Sequence, residues 1–351
     1  MDAPLFAIYG ANGHTGRLVA TELLSRNQNV LLAGRNGAAL RALAGELADF
    51  AEFAELGAPG HVRTLVAPLD DPAALRELTE SATVIIHCAG PYAQTGEPVA
   101  AAAAAAGCHY VDHAVEPHHV KYMFDALQAQ AQRTGAVMIP QMSFYGGLAD
   151  LLAAAVTEGM TDVDRVTVGY AVTGWRMTAG AVRTAELLIG EIDRVTFSDG
   201  AQRVGPVEIR NTVFPFPPPV GPRTMIAPFP SGEVVTIPRH VPARTVESQL
   251  TASTFEEEQV FTSVDASAEA RSQTEFTVAV QAVASAGGGR NGNVRGRDIW
   301  WAGALASVEA AVRLAGGEGP AKPGVLSAAE AFPATPFLRM LEDRGAFTLT
   351  L

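Results

Sequence analysis

The chain has 351 residues, 48% hydrophobic and 18% charged, which is enough apolar material for about two packed domains and too much for wholesale disorder. A formal net charge of −12 with no basic run argues against nucleic acid or an anionic membrane as the main partner. The longest small-apolar run, Val99–Ala106, is too short for a membrane span, and Cys88 and Cys108 make no disulfide framework. With no basic, apolar leader before the first strand, a cytoplasmic protein is expected.

The apolar run Leu5–Tyr9 reads as a strand, and Arg17–Leu24 as the helix that follows it. Between them lies Gly10-Ala11-Asn12-Gly13-His14-Thr15-Gly16. Strand, glycine-rich turn and helix together are the setting in which free amides at a helix start take up a pyrophosphate. Gly10 allows the turn, Gly13 lets the backbone approach the phosphates, and Gly16 lets the helix sit close to the strand. The spacing G-x-x-G-x-x-G departs from the strict G-x-G-x-x-G form, so the assignment rests on the context. The next strand, Asn29–Ala33, ends in Gly34-Arg35-Asn36 with no acid at its tip. An acid there would bond a ribose 2′-hydroxyl, whereas an arginine fork suits a 2′-phosphate, so the expected cofactor is NADP(H).

Residues 37–57 have helical spacing, and His61–Leu69 reads as a third strand ending in Asp70-Asp71-Pro72. Either acid suits the cap of a helix opened by Pro72, and Asp70 also suits the adenine end of a dinucleotide. The buried parallel strand Thr83–Ala89 runs into Gly90-Pro91-Tyr92, placing Cys88, Ala89, Gly90 and Pro91 where cofactor and substrate meet. His109–Asp112 is the fifth strand, followed by His113-Ala114-Val115-Glu116-Pro117-His118-His119. That histidine spacing lacks the i, i+4 pair of a zinc hydrolase, so no metal is expected, and Asp112, His113 and Glu116 are read as facing substrate. A helix over Val120–Arg133, a strand over Ala136–Gln141, a loop over Ser143–Gly147 and a helix over Leu148–Thr157 complete a doubly wound unit. Lysine occurs only at Lys121 and Lys322, neither well placed for Schiff-base chemistry.

From about Asp162 the texture changes. Val163–Thr173, Arg194–Phe197, Val234–Ile237 and Thr274–Val280 alternate, which predicts a largely antiparallel sheet interrupted by a helix over Thr178–Ile189. Phe214–Pro219 cannot be a central strand, and Gly287–Asn293 reads as a hairpin tip. A long apolar helix opens near Arg297–Trp301, and a short one lies near Pro336–Asp343. The fold class is therefore α/β: an N-terminal doubly wound Rossmann domain over residues 1–158, with 298–351 packing back on it, and an α+β substrate or dimerisation domain over 159–297.

Several stretches resemble one family in order: Gly10–Ala20, Leu32–Asn36, Gly90-Pro91-Tyr92 with Gly96–Val99, and Gly107–Asp112 with Glu116. They are similar to the saccharopine dehydrogenase-like family, including the bacterial trans-acting enoyl reductases. The resemblance covers roughly the first 150 residues and is weaker near Gly296–Ile299 and Gly324–Phe332. It implies an NADP-binding oxidoreductase with its substrate between two domains, and it does not imply saccharopine, because no arginine cluster stands at matched positions. The expected activity is NADPH-dependent reduction of a polarised C=C, C=N or C=O in a small, largely apolar metabolite or acyl chain. Tyr92, His113 and Tyr145 are the candidate proton donors, with Glu116 to orient one of them. A sensor or scaffold that binds NADP(H) without turnover, and a redox-neutral NADP-using enzyme, are the other readings. The sequence leaves a homodimer open.

Overall fold

The computed structural model describes residues 3–53, 61–256, 260 and 267–351. The last part of the expected helix over 37–57 lies outside them.

The first unit alternates strand and helix: β1 (Leu5–Tyr9), α1 (His14–Ser25), β2 (Asn29–Gly34), α2 (Gly37–Phe53), β3 (Val62–Val66), α3 (Pro72–Ser81), β4 (Val84–His87), α4 (Tyr92–Ala106) and β5 (His109–Asp112). α5 (Pro117–Tyr122) continues through a π-turn over Met123–Leu127 into α6 (Gln128–Thr134), followed by β6 (Val137–Ile139) and α7 (Gly147–Val156). The strands are parallel and ordered β3-β2-β1-β4-β5-β6, so the order reverses between β1 and β4 and opens a crevice at their carboxyl ends. In β1, Phe6 and Ile8 join one hydrophobic cluster while Ala7 and Tyr9 join the cluster on the opposite face. Both faces are covered, which is why the strand reads as a continuous apolar run. Ala100, Ala103 and Ala104 are buried beneath α4, and such small side chains let that helix lie close to its neighbours.

The second unit contains β7 (Val163–Thr173), α8 (Ala179–Gly190), β8 (Asp193–Ser198), β9 (Ala201–Pro206), β10 (Arg210–Pro215), β11 (Pro222–Ala227) and α9 (Glu233–Thr236). It continues with β12 (Ala243–Thr251), α10 (Ala268–Ser272), β13 (Glu275–Val283) and β14 (Gly289–Arg297). The chain closes with α11 (Ile299–Ala315), β15 (Gly324–Val325), α12 (Ala328–Ala331), α13 (Ala334–Asp343) and β16 (Thr348–Thr350). This sheet is mixed: β7 pairs with β13 antiparallel and with β12 parallel. β10, which ends in the proline-rich stretch, lies at its edge.

One expected strand is corrected. Val234–Ile237 is not extended; α9 and a 3-10 turn over Ile237–Arg239 occupy that stretch. Alternating β-branched residues favour a strand locally, but the buried Glu233 carboxylate overrides them. It accepts from Gly146 N at 3.0 Å, from Ser248 Oγ at 3.1 Å and from the Tyr170 hydroxyl, which fixes the turn.

The C-terminal segment serves both sheets. β15 extends the first beside β6, and β16 extends the second beside β14. α11 lies along α1, where Arg26 bridges Glu22 at 2.7 Å and Glu309 at 2.7 Å. One hydrophobic cluster runs from Ile8 and Ile86 through Leu305 on α11 and Leu152 on α7 to Val168 and Phe276 in the second sheet.

Candidate active site

The turn after β1 is shaped by contacts that leave no room for a side chain. Gly10 has φ +82°, and a Cβ there would lie 2.7 Å from Ala89 Cβ. The amides of Gly10 and Ala11 donate to Ala33 O at 2.8 and 3.2 Å, which pins the turn to β2. A Cβ on Gly16 would come within 2.4 Å of Gly10 O and 2.7 Å of Ala11 Cα, so α1 starts in contact with the turn. Gly13, the N-cap, offers no side chain to the first-turn amides, and the first i→i−4 bond is Arg17 N to Gly13 O at 3.0 Å. First-turn amides with no capping side chain are what a pyrophosphate requires. Asn12 is exposed on the turn, and the His14 ring packs edge-on against Trp300 of α11, with centroids 5.3 Å apart.

Arg35 is exposed at the tip of β2, and among the described residues no acid pairs with it. Asn36 beside it caps α2, its Oδ1 accepting from Ala39 N at 3.1 Å. Asp71 caps α3 through Ala73 N and Ala74 N, which leaves Asp70 exposed at its strand tip. Arg35 and Asp70 converge on Tyr9: burial pushes its hydroxyl up to about 12, Arg35 works against this and Asp70 with it. An uncommitted guanidinium at this strand tip fits a 2′-phosphate, and the turn fits a pyrophosphate, so the residues present suit NADP(H).

Beyond β4, Cys88 N donates to Tyr9 O at 2.8 Å, Ala89 abuts Gly10, and Gly90-Pro91 leads into α4. Here a cavity of about 480 Å³ opens between the two units. Thr15, Cys88 and Gly90 line its first-sheet side, and Trp175, Arg194 and Phe229 come from the second unit. Tyr92, His113, Glu116 and Tyr145 line it as well, so the sequence-predicted candidates do meet in one place.

Their hydrogen bonds assign them different tasks. The Tyr92 hydroxyl is buried, donating to His87 O at 2.6 Å and accepting from His113 N at 3.1 Å. Main chain thus holds its proton, and burial raises its pKa. Glu116 accepts from Tyr92 N at 2.8 Å and Val115 N at 3.0 Å. Both donors are backbone amides, one of them at the start of α4, and burial raises the Glu116 carboxyl. Asp112 does not face the cavity. It is fully buried and accepts from Gln141 N at 2.6 Å, His119 Nε2 at 2.9 Å and Ala114 N at 3.0 Å. Burial would raise its carboxyl, but His119 and those amides outweigh burial and hold it below the ordinary value.

His113 is the side chain that links the cavity wall. Nδ1 lies 2.9 Å from Ser143 Oγ, and Nε2 lies 2.8 Å from Ser307 Oγ on α11. Burial pushes the ring down to about 4, with Asp112 working against it, so the imidazole is neutral near pH 7. Tyr145 packs among Phe144, Tyr170 and Phe229, its hydroxyl is buried without a partner among the described residues, and burial raises its pKa. Sequence reading passed over Ser143, Ser307, Trp175 and Arg194. Ser143 follows a parallel strand's carboxyl end, a usable signal; Ser307 is joined to His113 across 194 positions and gave none. No group of metal-ligating side chains occurs among the described residues. Among them no helix is long and apolar enough to cross a membrane.

Residues 6–139 match the family model described as saccharopine dehydrogenase NADP binding domain, so the first unit is similar to NADP-binding domains of that type. Over 146 residues the chain is 34% identical to a trans-acting enoyl reductase from Mycobacterium ulcerans, covering 41% of this chain and 33% of that protein. Over 147 residues it is 32% identical to a probable mitochondrial saccharopine dehydrogenase-like oxidoreductase from Arabidopsis thaliana, covering 39% and 31%. The matched part thus spans about a third of these relatives' lengths. Apo saccharopine dehydrogenase (L-Glu forming) from Saccharomyces cerevisiae superposes over 99% of each chain, with a TM-score of 0.60 and 12% identity, which shows a shared fold.

Proposed function

We propose that this chain, built on a saccharopine dehydrogenase-type NADP-binding domain, is an NADPH-dependent reductase of a polarised C=C, C=N or C=O in a small, largely apolar molecule or acyl chain. The observation that carries this reading is the apolar cavity, which reaches from Thr15, Cys88 and Gly90 of the dinucleotide domain to the wall where Ser143 rests on His113. NADPH, when bound, supplies the hydride.

The chain's own residues then account for position and charge. Gly10 to Gly16 and Arg35 hold the phosphates, while Thr15, Cys88 and Gly90 bring the reactive end of the dinucleotide to the cavity. The Ser143 hydroxyl donates a hydrogen bond to the atom on which negative charge develops during reduction. His113 keeps that hydroxyl in place: when the Ser307 hydroxyl turns from Ala304 O to donate to Nε2, the ring carries its proton on Nδ1 and donates to Ser143 Oγ, and the Ser143 hydrogen turns toward the cavity. Ser307 and the backbone amide bonded to Tyr92 fix the ring's orientation. Trp175, Phe229 and Leu250 exclude water around the reacting bond.

Replacing Ser143 by Ala tests this. Removing a donor to developing charge lowers single-turnover hydride transfer about 10²-fold, with NADPH affinity unchanged. An unchanged rate overturns the Ser143 assignment. NADPH that binds but is never oxidised by any apolar enone, imine or ketone favours the sensor reading instead.

A further inference from the structure

Arg194 is a buried cation in an apolar setting. It lies on β8 and lines the cavity at 7% exposure. Its one hydrogen bond among the described residues is long, from Nη1 to Pro228 O at 3.4 Å. No carboxylate there stands at ion-pair distance, although Glu191, just past α8, feels its field. A guanidinium has five N–H donors, and removing it from water is costly unless acceptors replace the lost water. Among the described residues only Pro228 O accepts from it.

Two more unmatched groups surround the same space. Among the described residues the Tyr145 hydroxyl and the Trp175 indole Nε1 are buried with no partner, and both residues line the cavity. The rest of the wall is largely apolar, Ile209, Ile226 and Leu250 among it, with His113, Glu116 and Ser143 at the first-sheet side. Such a wall asks for an apolar body bearing one acceptor-rich group. One feature favours a single negative charge over a phosphate dianion: among the described residues no second arginine and no lysine lines the cavity. A carboxylate has the two coplanar oxygens that a guanidinium fork matches.

We propose that the cavity takes an apolar monocarboxylate, its carboxylate paired with Arg194 on the second-unit wall and its carbon body directed toward Ser143. This rests on the reductase reading of the same cavity and names the substrate class within it.

Calorimetric titration of the full chain with octanoate, methyl octanoate and octyl phosphate tests the pairing, with NADPH titrated in parallel. The expected result is octanoate binding about tenfold or more tightly than its uncharged ester, as a charge-assisted pair would give, with octyl phosphate weaker than octanoate. Arg194→Met removes the acid-over-ester preference and leaves ester binding in place. Equal binding of acid and ester to the unaltered protein overturns the proposal, as does undiminished octanoate binding by Arg194→Met. Tighter binding of octyl phosphate than octanoate overturns the carboxylate assignment. Should Arg194→Met not fold, the acid and ester comparison on the unaltered chain decides alone. If NADPH binds and octanoate shows no preference, this inference fails by itself; if NADPH does not bind, the reductase reading fails.

Discussion

At the dinucleotide end of the cleft, main chain and short sequence separations do the work, whereas at the cavity end side chains gather from across the whole chain. Gly10, Gly13 and Gly16 stand within one turn of backbone, held to Ala33 O by two amides. His113, by contrast, is fixed by Ser143 from the loop after β6 and by Ser307 from a helix near the C-terminus. The first region presents groups that every residue carries, so its signature is spacing and the absence of side chains. The second depends on which side chains the fold happens to bring together.

This difference decides what could be read beforehand. The glycine turn, Arg35 at its strand tip and the alternation of β7 were legible because local sequence specifies them. Asp112 was misplaced because a strand-end acid beside histidines looks like a site; its role as a buried junction emerges only when Gln141 N and His119 close around it. The strand expected over Val234–Ile237 failed similarly, since a single tertiary anchor at Glu233 outweighed local propensity. Arg194 had no signal at all, being one arginine among many until the fold buries it.

The comparison breaks most sharply at the junction joining the two regions. Asp112→Ala leaves the His119 ring and the Ala114 and Gln141 amides unsatisfied in the interior. We expect destabilisation by about 3–5 kcal/mol in chemical denaturation, with both ends of the cleft affected together. A loss below ~1 kcal/mol would show that the junction is not shared.

A smaller effect separates the regions by pH. The His113 pKa is lowered to about 4, below its ordinary 6.5, so the folded protein holds the neutral ring. Below about 6.5 the unfolded chain binds the proton first, and the stability tied to this ring is lost as pH falls from there toward about 4. Between those limits and pH 8 the ring stays neutral in the folded state, so hydride transfer in preformed complexes is expected to show no titration near 6.5. A rate profile breaking there would mean that His113 is solvated and not held by the two serines.

The central claim is that Arg35 meets the extra phosphate of the dinucleotide whose pyrophosphate rests on the glycine turn. Equilibrium titration of the unaltered chain and of Arg35→Asp with NADPH and NADH tests it most directly. The account predicts that the unaltered chain prefers NADPH and that Arg35→Asp weakens NADPH by about tenfold or more while leaving NADH little changed. Equal weakening of both dinucleotides, or no binding of either to the unaltered chain, would contradict it.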